Sequence, residues 1–304
     1  MNKLLSFIII SYNRPDDTIE AVRNVFQLED APGYDKEIII LNNGSSVAYT
    51  TFEAYLNTLA AEQKVNLHYI NNTDNLGVAG GRNLCIRQAK GEYLFFLDDD
   101  AEFATKSAIP LVLNKFKKYE TENVRIIGFS TMNPFTGKYD NPVKGRNKRE
   151  GEREFFYNIF WGCGHVFRND LMQQTGFYQE DFFYGMEEYD LAYATIKKGY
   201  TILFTKEILV LHKFNPLGRE PSDTTYARMF ENKTLVAYKH LPLLFVLTHF
   251  IVWSSYFLWK SKFNLALYFP TLKSLFRRMK VANREVMNKK GMQYLRKVGA
   301  RITY

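Results

Sequence analysis

Four short runs of aliphatic and aromatic residues, each ending in a polar cluster, restrict this chain to a small set of folds. The runs are Leu4–Ser11, Glu37–Leu41, Val65–Ile70 and Glu92–Leu97. Continuous apolar, β-branched runs of this length are the pattern of strands buried on both faces, as in a parallel sheet covered by helices. Helical stretches lie between them, to about Gln27, over Ala48–Ala61 and over Ala79–Ala89. Strands alternating with helices through short turns mean right-handed βαβ units, so the fold class is α/β with a mainly parallel sheet. Ligands in such sheets bind beyond the carboxyl ends of the strands. Here those ends carry Ser11-Tyr12-Asn13-Arg14, Asn42-Asn43-Gly44-Ser45, the Asn75–Asn83 segment and Asp98-Asp99-Asp100.

Further along, the rhythm changes. Val124–Thr131 reads as another strand, and Lys138–Arg153 as a basic mobile loop over the site or an exposed linker. Phe155–Phe167, Asp170–Gly176, a helix over Glu187–Gly199 and a strand over Thr201–Leu211 follow. Leu241–Trp259 holds nineteen residues without Asp, Glu, Lys or Arg, just long enough to cross a bilayer. Pro242, Thr248, His249, Ser254 and Ser255 count against a span, as does the basic tail, which a span would place outside a cytoplasmic enzyme. The expectation is an interfacial helix or docked hydrophobic hairpin with Trp253, Trp259 and Lys260 near headgroups. Packing in the core or in a homodimer is the alternative.

Charge sharpens that expectation. The net charge is +8, yet residues 260–304 hold twelve Lys/Arg against one acid, Glu285, a net of +11. The rest of the chain therefore carries −3. A near-neutral body with a basic tail argues against a nucleic-acid-binding protein and for one surface, residues 241–304, that meets an anionic membrane. Cys85 and Cys163 form no disulfide framework or metal spacing, and the N-terminal apolar run is too short for a signal peptide. Both point to a cytoplasmic protein, peripheral on the inner face of the cell membrane.

Three adjacent carboxylates repel one another unless a cation or backbone donors compensate. At the end of a buried strand, Asp98–Asp100 suit a divalent metal that bridges to phosphate oxygens. A solvated acidic turn is the bland alternative. Glu187-Glu188-Tyr189-Asp190 is a second acidic cluster, which could simply complement the dipole of the helix it opens. The glycines of Gly77–Asn83 let a backbone approach a ligand, or else serve tight helix packing. Cys163 and His165 together raise a thiol nucleophile as a reading, but no triad supports it.

These segments together resemble the family 2 glycosyltransferases of the GT-A fold. The likeness rests on SFIIISYNRP (6–15), EIIILNNGSS (37–46), NNTDNLGVAGGRNLCIRQAKGEYLFFLDDDA (71–101), FYGMEEYDLAYATIKKGY (183–200), His212 and ENKTLVAYKHLP (231–242). It covers roughly residues 4 to 240. It implies a GT-A, Rossmann-like nucleotide-diphospho-sugar transferase domain over 1–215, with a nucleotide-binding half (1–100) and an acceptor half (101–215). A helical C-terminal appendage would follow over 216–304. The implied reaction is inverting transfer from a UDP- or dTDP-sugar to a hydroxyl of a glycan or lipid-linked acceptor in cell-surface glycan synthesis.

By the same resemblance Tyr12, Asn13, Arg14, Asn43, Gly81, Arg82, Asp98 and Asp99 would bind the nucleotide. Asp98, Asp100 and His212 would hold Mn2+ or Mg2+. Glu188 would be the catalytic base, with Glu187, Asp190 and Trp161 on the acceptor side. The family usually has Asp, sometimes Asn, where Asn43 stands; an amide oxygen can still accept from the base. Two rivals remain. A sugar nucleotidyltransferase would carry glycine and lysine after the first strand, and Ser11–Pro15 has neither. A non-catalytic membrane-peripheral nucleotide-sugar-binding protein would be expected to lose the acidic clusters.

Overall fold

A computed structural model describes residues 2–140, 151–215 and 222–302; most of the Lys138–Arg153 stretch lies outside them. In chain order the elements are β1 (Lys3–Ser11), α1 (Pro15–Phe26), β2 (Tyr34–Asn43), α2 (Thr50–Thr58), α3 (Ala61–Lys64), β3 (Leu67–Asn72), α4 (Gly77–Gln88), β4 (Tyr93–Asp98), β5 (Ala101–Phe103), α5 (Ala108–Lys118) and β6 (Val124–Met132). Then come β7 (Glu154–Tyr157), β8 (Gly164–Arg168), α6 (Leu171–Thr175), a 3-10 turn at Glu180–Phe182, α7 (Glu187–Lys197), β9 (Thr201–His212) and four helices. These are α8 (Ser222–His240), α9 (Leu243–Lys260), α10 (Leu265–Val281) and α11 (Lys289–Lys297).

One nine-stranded sheet runs β3-β2-β1-β4-β8-β6-β9-β5, with β7 also on β9. Strands β3, β2, β1 and β4 are parallel neighbours, while β8 runs antiparallel between β4 and β6. Along β1 the alternation of a pleated strand sends Phe7 and Ile9 to one core and Ile8 to the other. The helix expected over Ala48–Ala61 breaks at Leu59 and Ala60, whose backbone is extended. Phe155–Phe167 divides into β7 and β8.

The core on the Ile8 side also takes in Phe230, Leu241, Val246, Phe257, Leu275 and Leu295. Helices α8 to α11 therefore share a core with the sheet. Leu241–Trp259 is no hairpin: it forms the single helix α9, entered through Pro242, whose missing N–H costs nothing at a helix start.

Candidate active site

The carboxyl ends of β1, β2 and β4 meet the start of α4 at a cleft of about 710 Å³. Tyr12, Asn13, Arg14, Asn43, Arg82, Asp98, Asp99, Asp100 and His212 all line it. Gly81, Trp161, Glu187, Glu188 and Asp190 are not on its wall.

The three aspartates face three ways. The side chain of Asp98, the last residue of β4, keeps 39% of its surface exposed. Asp99 turns back into the protein, where it accepts from Ser11 Oγ (3.0 Å), the Tyr12 N–H (3.2 Å) and Arg14 Nη1 (2.7 Å). Burial pushes its carboxyl up to about 7 against the pull of Arg14. Asp99 thus fixes the end of β1. Asp100 accepts from the Asn215 N–H at 2.8 Å through Oδ2, and Arg14 Nη1 stands 3.5 Å away. Burial would raise it, but His212, Arg14 and the Asn215 N–H outweigh that and hold it low.

Asp100 Oδ1 is buried, accepts no hydrogen bond, and lies 3.3 Å from His212 Nε2. One ligand atom each from Asp98, Asp100 and His212 fall within 4.8 Å of one another. Two carboxylates and an imidazole around an unbonded buried oxygen form a donor set suited to a divalent cation such as Mn2+ or Mg2+. The short strand β5 makes this possible, because its antiparallel pairing sets Ala101 opposite His212.

At the nucleotide end, polar side chains expected to meet the ligand also brace one another. Asn13 has φ +61°, a region Asn tolerates better than most residues. Its Oδ1 accepts from the Ser46 and Val47 N–H groups at 2.8 and 3.3 Å, and its own N–H donates to Ser45 Oγ. Asn43 is buried; its Nδ2 donates to Asn75 Oδ1 and Gly77 O, and its Oδ1 accepts from the Leu76 N–H at 3.1 Å. Arg14, besides its carboxylates, donates to Asn215 O at 3.0 Å. These side chains therefore shape the cleft, with Tyr12 as its half-buried aromatic wall.

Arg82 lines the cleft and is also tied to carboxylates. Its buried guanidinium sits between the acidic clusters, with Nη1 3.2 Å from both Glu187 Oε1 and Glu188 Oε1 and Nη2 3.7 Å from Asp98 Oδ1. The Tyr178 ring lies beneath it at 5.4 Å, and Tyr178 OH is 3.1 Å from His165 Nε2. Burial drives His165 strongly towards its neutral form. Glu187 is buried, and its Oε2 has no partner. Burial first, and the Glu188 charge second, push its carboxyl up to about 8 despite Arg82. The Glu188 side chain is 16% exposed.

A Cβ on Gly81, expected at the nucleotide, would press on Leu41, Asn43 and Ile10 at 3.2–3.3 Å. Gly162 leaves room for the acidic pair: a Cβ there would collide with Glu188 Oε1 and stand 2.7 Å from Arg82 Nη2. Next to it, Trp161 is half-buried and its backbone carbonyl meets His165 Nδ1 at 2.9 Å. Cys163 is buried and its thiol pushed well up, unlike a nucleophile.

Asp190 is held from behind by α8. Lys239 Nζ and His240 Nε2 hold it at 2.7 and 2.8 Å. Burial would raise its carboxyl, but His240 and Lys239 bring it below the usual range. The loop before α7 is strained, with positive φ at Phe183, Gly185 and Met186. Asn232 Nδ2, from α8, reaches the carbonyls of Phe182, Tyr184 and Gly185 at 2.8–3.3 Å, and Arg278 Nη1 donates to its Oδ1 at 2.8 Å. Gly77, at φ +69°, brings the other side of the cleft against this loop, and the Val78 N–H donates to Phe183 O at 2.6 Å. Asn232 lay within the 231–242 motif, but nothing in the sequence spelled out its partners.

Residues 6–176 match the model of glycosyl transferase family 2. An uncharacterized protein of Haemophilus influenzae is 28% identical over 179 residues, 57% of this chain and 91% of that protein. A teichoic acid poly(glycerol phosphate) polymerase of Staphylococcus epidermidis is also 28% identical over 57% of this chain, which spans only 23% of the polymerase's length. The crystal structure of GalNAc-T7 with UDP, GalNAc and Mn2+ superposes with a TM-score of 0.67 at 15% identity, over 99% of this chain and 57% of that one. At that identity the likeness is one of fold, and the fold is GT-A. The matched segment runs from β1 through α6 and holds the cleft residues from Ile8 to Asp100, and with it the chain belongs to glycosyl transferase family 2.

Proposed function

We propose that this protein transfers a sugar, with inversion, from a UDP- or dTDP-sugar to a hydroxyl of a glycan or lipid-linked acceptor, on the cytoplasmic face of the cell membrane. The observation that carries this reading is the placement of Arg82 between a cation-type donor set and a partly exposed carboxylate, Glu188. Asp98, Asp100 and His212 would hold Mn2+ or Mg2+. The bound cation would neutralise charge that develops on the departing diphosphate.

The chain's own residues account for the rest. Tyr12 offers an aromatic face to the base, and the loop braced by Asn43 holds the sides of the nucleotide cleft. Glu188 accepts the proton of the acceptor hydroxyl as its oxygen bonds to the anomeric carbon, and the bond from that carbon to the diphosphate oxygen breaks on the opposite face. Arg82 orients Glu188 through its 3.2 Å ion pair and joins it to the leaving-group side. Glu187, buried without a partner for Oε2, keeps a proton and leaves the base role to Glu188.

Calorimetry with UDP and dTDP, with and without Mn2+, tests the donor end; binding that ignores the metal, or no binding, overturns the reading. Glu188→Gln should bind donor as the parent does and lose about 10²- to 10⁴-fold in transfer. Substantial residual transfer would move the base elsewhere.

A further inference from the structure

We propose that α9 and α10 together form a docking face for an anionic phospholipid bilayer. Helix α9 turns Val246, His249, Ser254 and Phe257 inward. On its outer side Leu243, Leu244, Leu247, Ile251 and Trp259 are each more than half exposed. Phe263 in the following turn, and Leu265 and Phe269 in α10, are more than half exposed as well, while Thr271 and Leu275 face inward. Only 22% of α9, at a mean hydropathy of 1.3, is buried. A soluble surface scatters such side chains singly, whereas a contiguous set marks contact with another body.

Charge decides which body. Between Glu231 and Glu285 the sequence has no Asp or Glu and nine Lys/Arg. Lys260, Lys262, Lys273, Arg277 and Lys280 are exposed beside the apolar stripe. Lys260 Nζ lies 4.6 Å from the Trp259 ring centroid, an aromatic and a long cation of the kind that sits at a headgroup layer. A second copy of this chain would bring two basic faces together and repel, while an acidic leaflet complements the face. Helix α9 does not cross the bilayer. Its inner side bears His249 and Ser254, the latter bonded to Tyr268 OH at 2.8 Å, and it packs on α8, where Asn232, Lys233 and Lys239 are buried.

The face also stands close to the chemistry. Lys233 Nζ, on α8, lies 3.4 Å from the ring centroid of Tyr189, next to Glu188, and 5.3 Å from that of Trp253 on α9. One buried amine thus separates the docking helix from the helix that presents the base. The acceptor class this favours, a hydroxyl on a membrane-held lipid carrier, rests on the glycosyltransferase reading; the docking face does not.

Flotation of the full-length protein with phosphatidylcholine vesicles, and with vesicles containing phosphatidylglycerol, tests the proposal. Binding is expected to the acidic vesicles and to fall as salt rises. Leu247→Glu with Ile251→Glu changes only exposed positions and should lower the bound fraction at least about tenfold. Lys260→Glu, Lys262→Glu and Lys273→Glu should each lower it on the order of fivefold. UDP binding in the presence of Mn2+, measured without lipid, should be unchanged in every variant. The proposal is overturned if the parent ignores acidic vesicles, or if the Leu247/Ile251 variant binds them equally well. It is also overturned if that variant turns a dimer into a monomer with no vesicle binding by either form. Vesicle binding without any UDP binding would leave the docking face standing and sink the donor assignment instead.

Discussion

The two acidic clusters read alike in sequence, yet the fold compensates them by different means. At Asp98–Asp100 the compensation is incomplete: Asp99 is satisfied by Ser11, Tyr12 and Arg14, but Asp100 Oδ1 is buried without a hydrogen bond and Asp98 stays open to the cleft. At Glu187–Asp190 the protein supplies its own cations, with Lys239 and His240 on Asp190 and Arg82 on the two glutamates. Asp190, closed by internal cations, is scaffold, while Glu188 beside it keeps a partly exposed carboxylate. A cluster with an unbonded carboxylate oxygen beside an imidazole is a place for a cation from outside.

Breaking the internal compensation should have the largest effect. Asp190→Asn would leave Lys239 buried without its countercharge and destabilise the fold by about 3–5 kcal/mol, read from urea unfolding. A cost near zero would mean that Lys239 finds another partner and that the cluster is not closed as described. Gly162→Ala comes next. The added methyl displaces Glu188 and Arg82, so kcat should fall roughly 10- to 100-fold in a protein that still folds. An unchanged kcat would show that the base position tolerates movement.

The smallest effect sharpens the contrast inside the second cluster, through pH. Burial, with the Glu188 charge behind it, raises the Glu187 carboxyl in the folded chain well above its unfolded value of about 4.3. The folded state holds a proton the unfolded state has released, so this residue makes stability fall as pH rises from the ordinary glutamate range to about 8. Asp190 is held below its ordinary value, and its contribution is lost as pH falls through that lower value. Glu187→Gln should therefore flatten the fall in urea midpoint between the ordinary glutamate range and about pH 8 and leave the steeper acid limb below it alone. A slope in that window that survives the substitution assigns the proton to another group.

Much of this was legible in the sequence because it rests on local pattern. The runs that became β1, β2 and β4 are apolar on both faces, and their polar ends mark where the cleft must be. Strand β5 was not legible, since three residues carry no period, and with it went the reason His212 reaches Asp100. Residue type announced Asn13 and Asn43 as site residues but not their partners, which are loop atoms brought close only by the folded sheet. For the same reason glycine-rich spacing drew attention to Gly81, while Gly162 matters through Glu188, a contact that no local pattern encodes. The apolar run of α9 was visible, but its single-helix form and its exposed side depend on where α8 lies.

The three carbonyls gathered by Asn232 have a consequence for recombining this protein with its relatives. The segment matching the family ends at residue 176, which invites a crossover between there and α8. A joint placed after Asp190 would part the loop at Phe182–Gly185 from the amide that splints it, and Asp190 from Lys239 and His240. The unit of exchange is therefore not the nucleotide half plus a spare tail. It runs from the loop before α7 through at least His240, and a hybrid that respects that boundary should inherit a working base along with its helix.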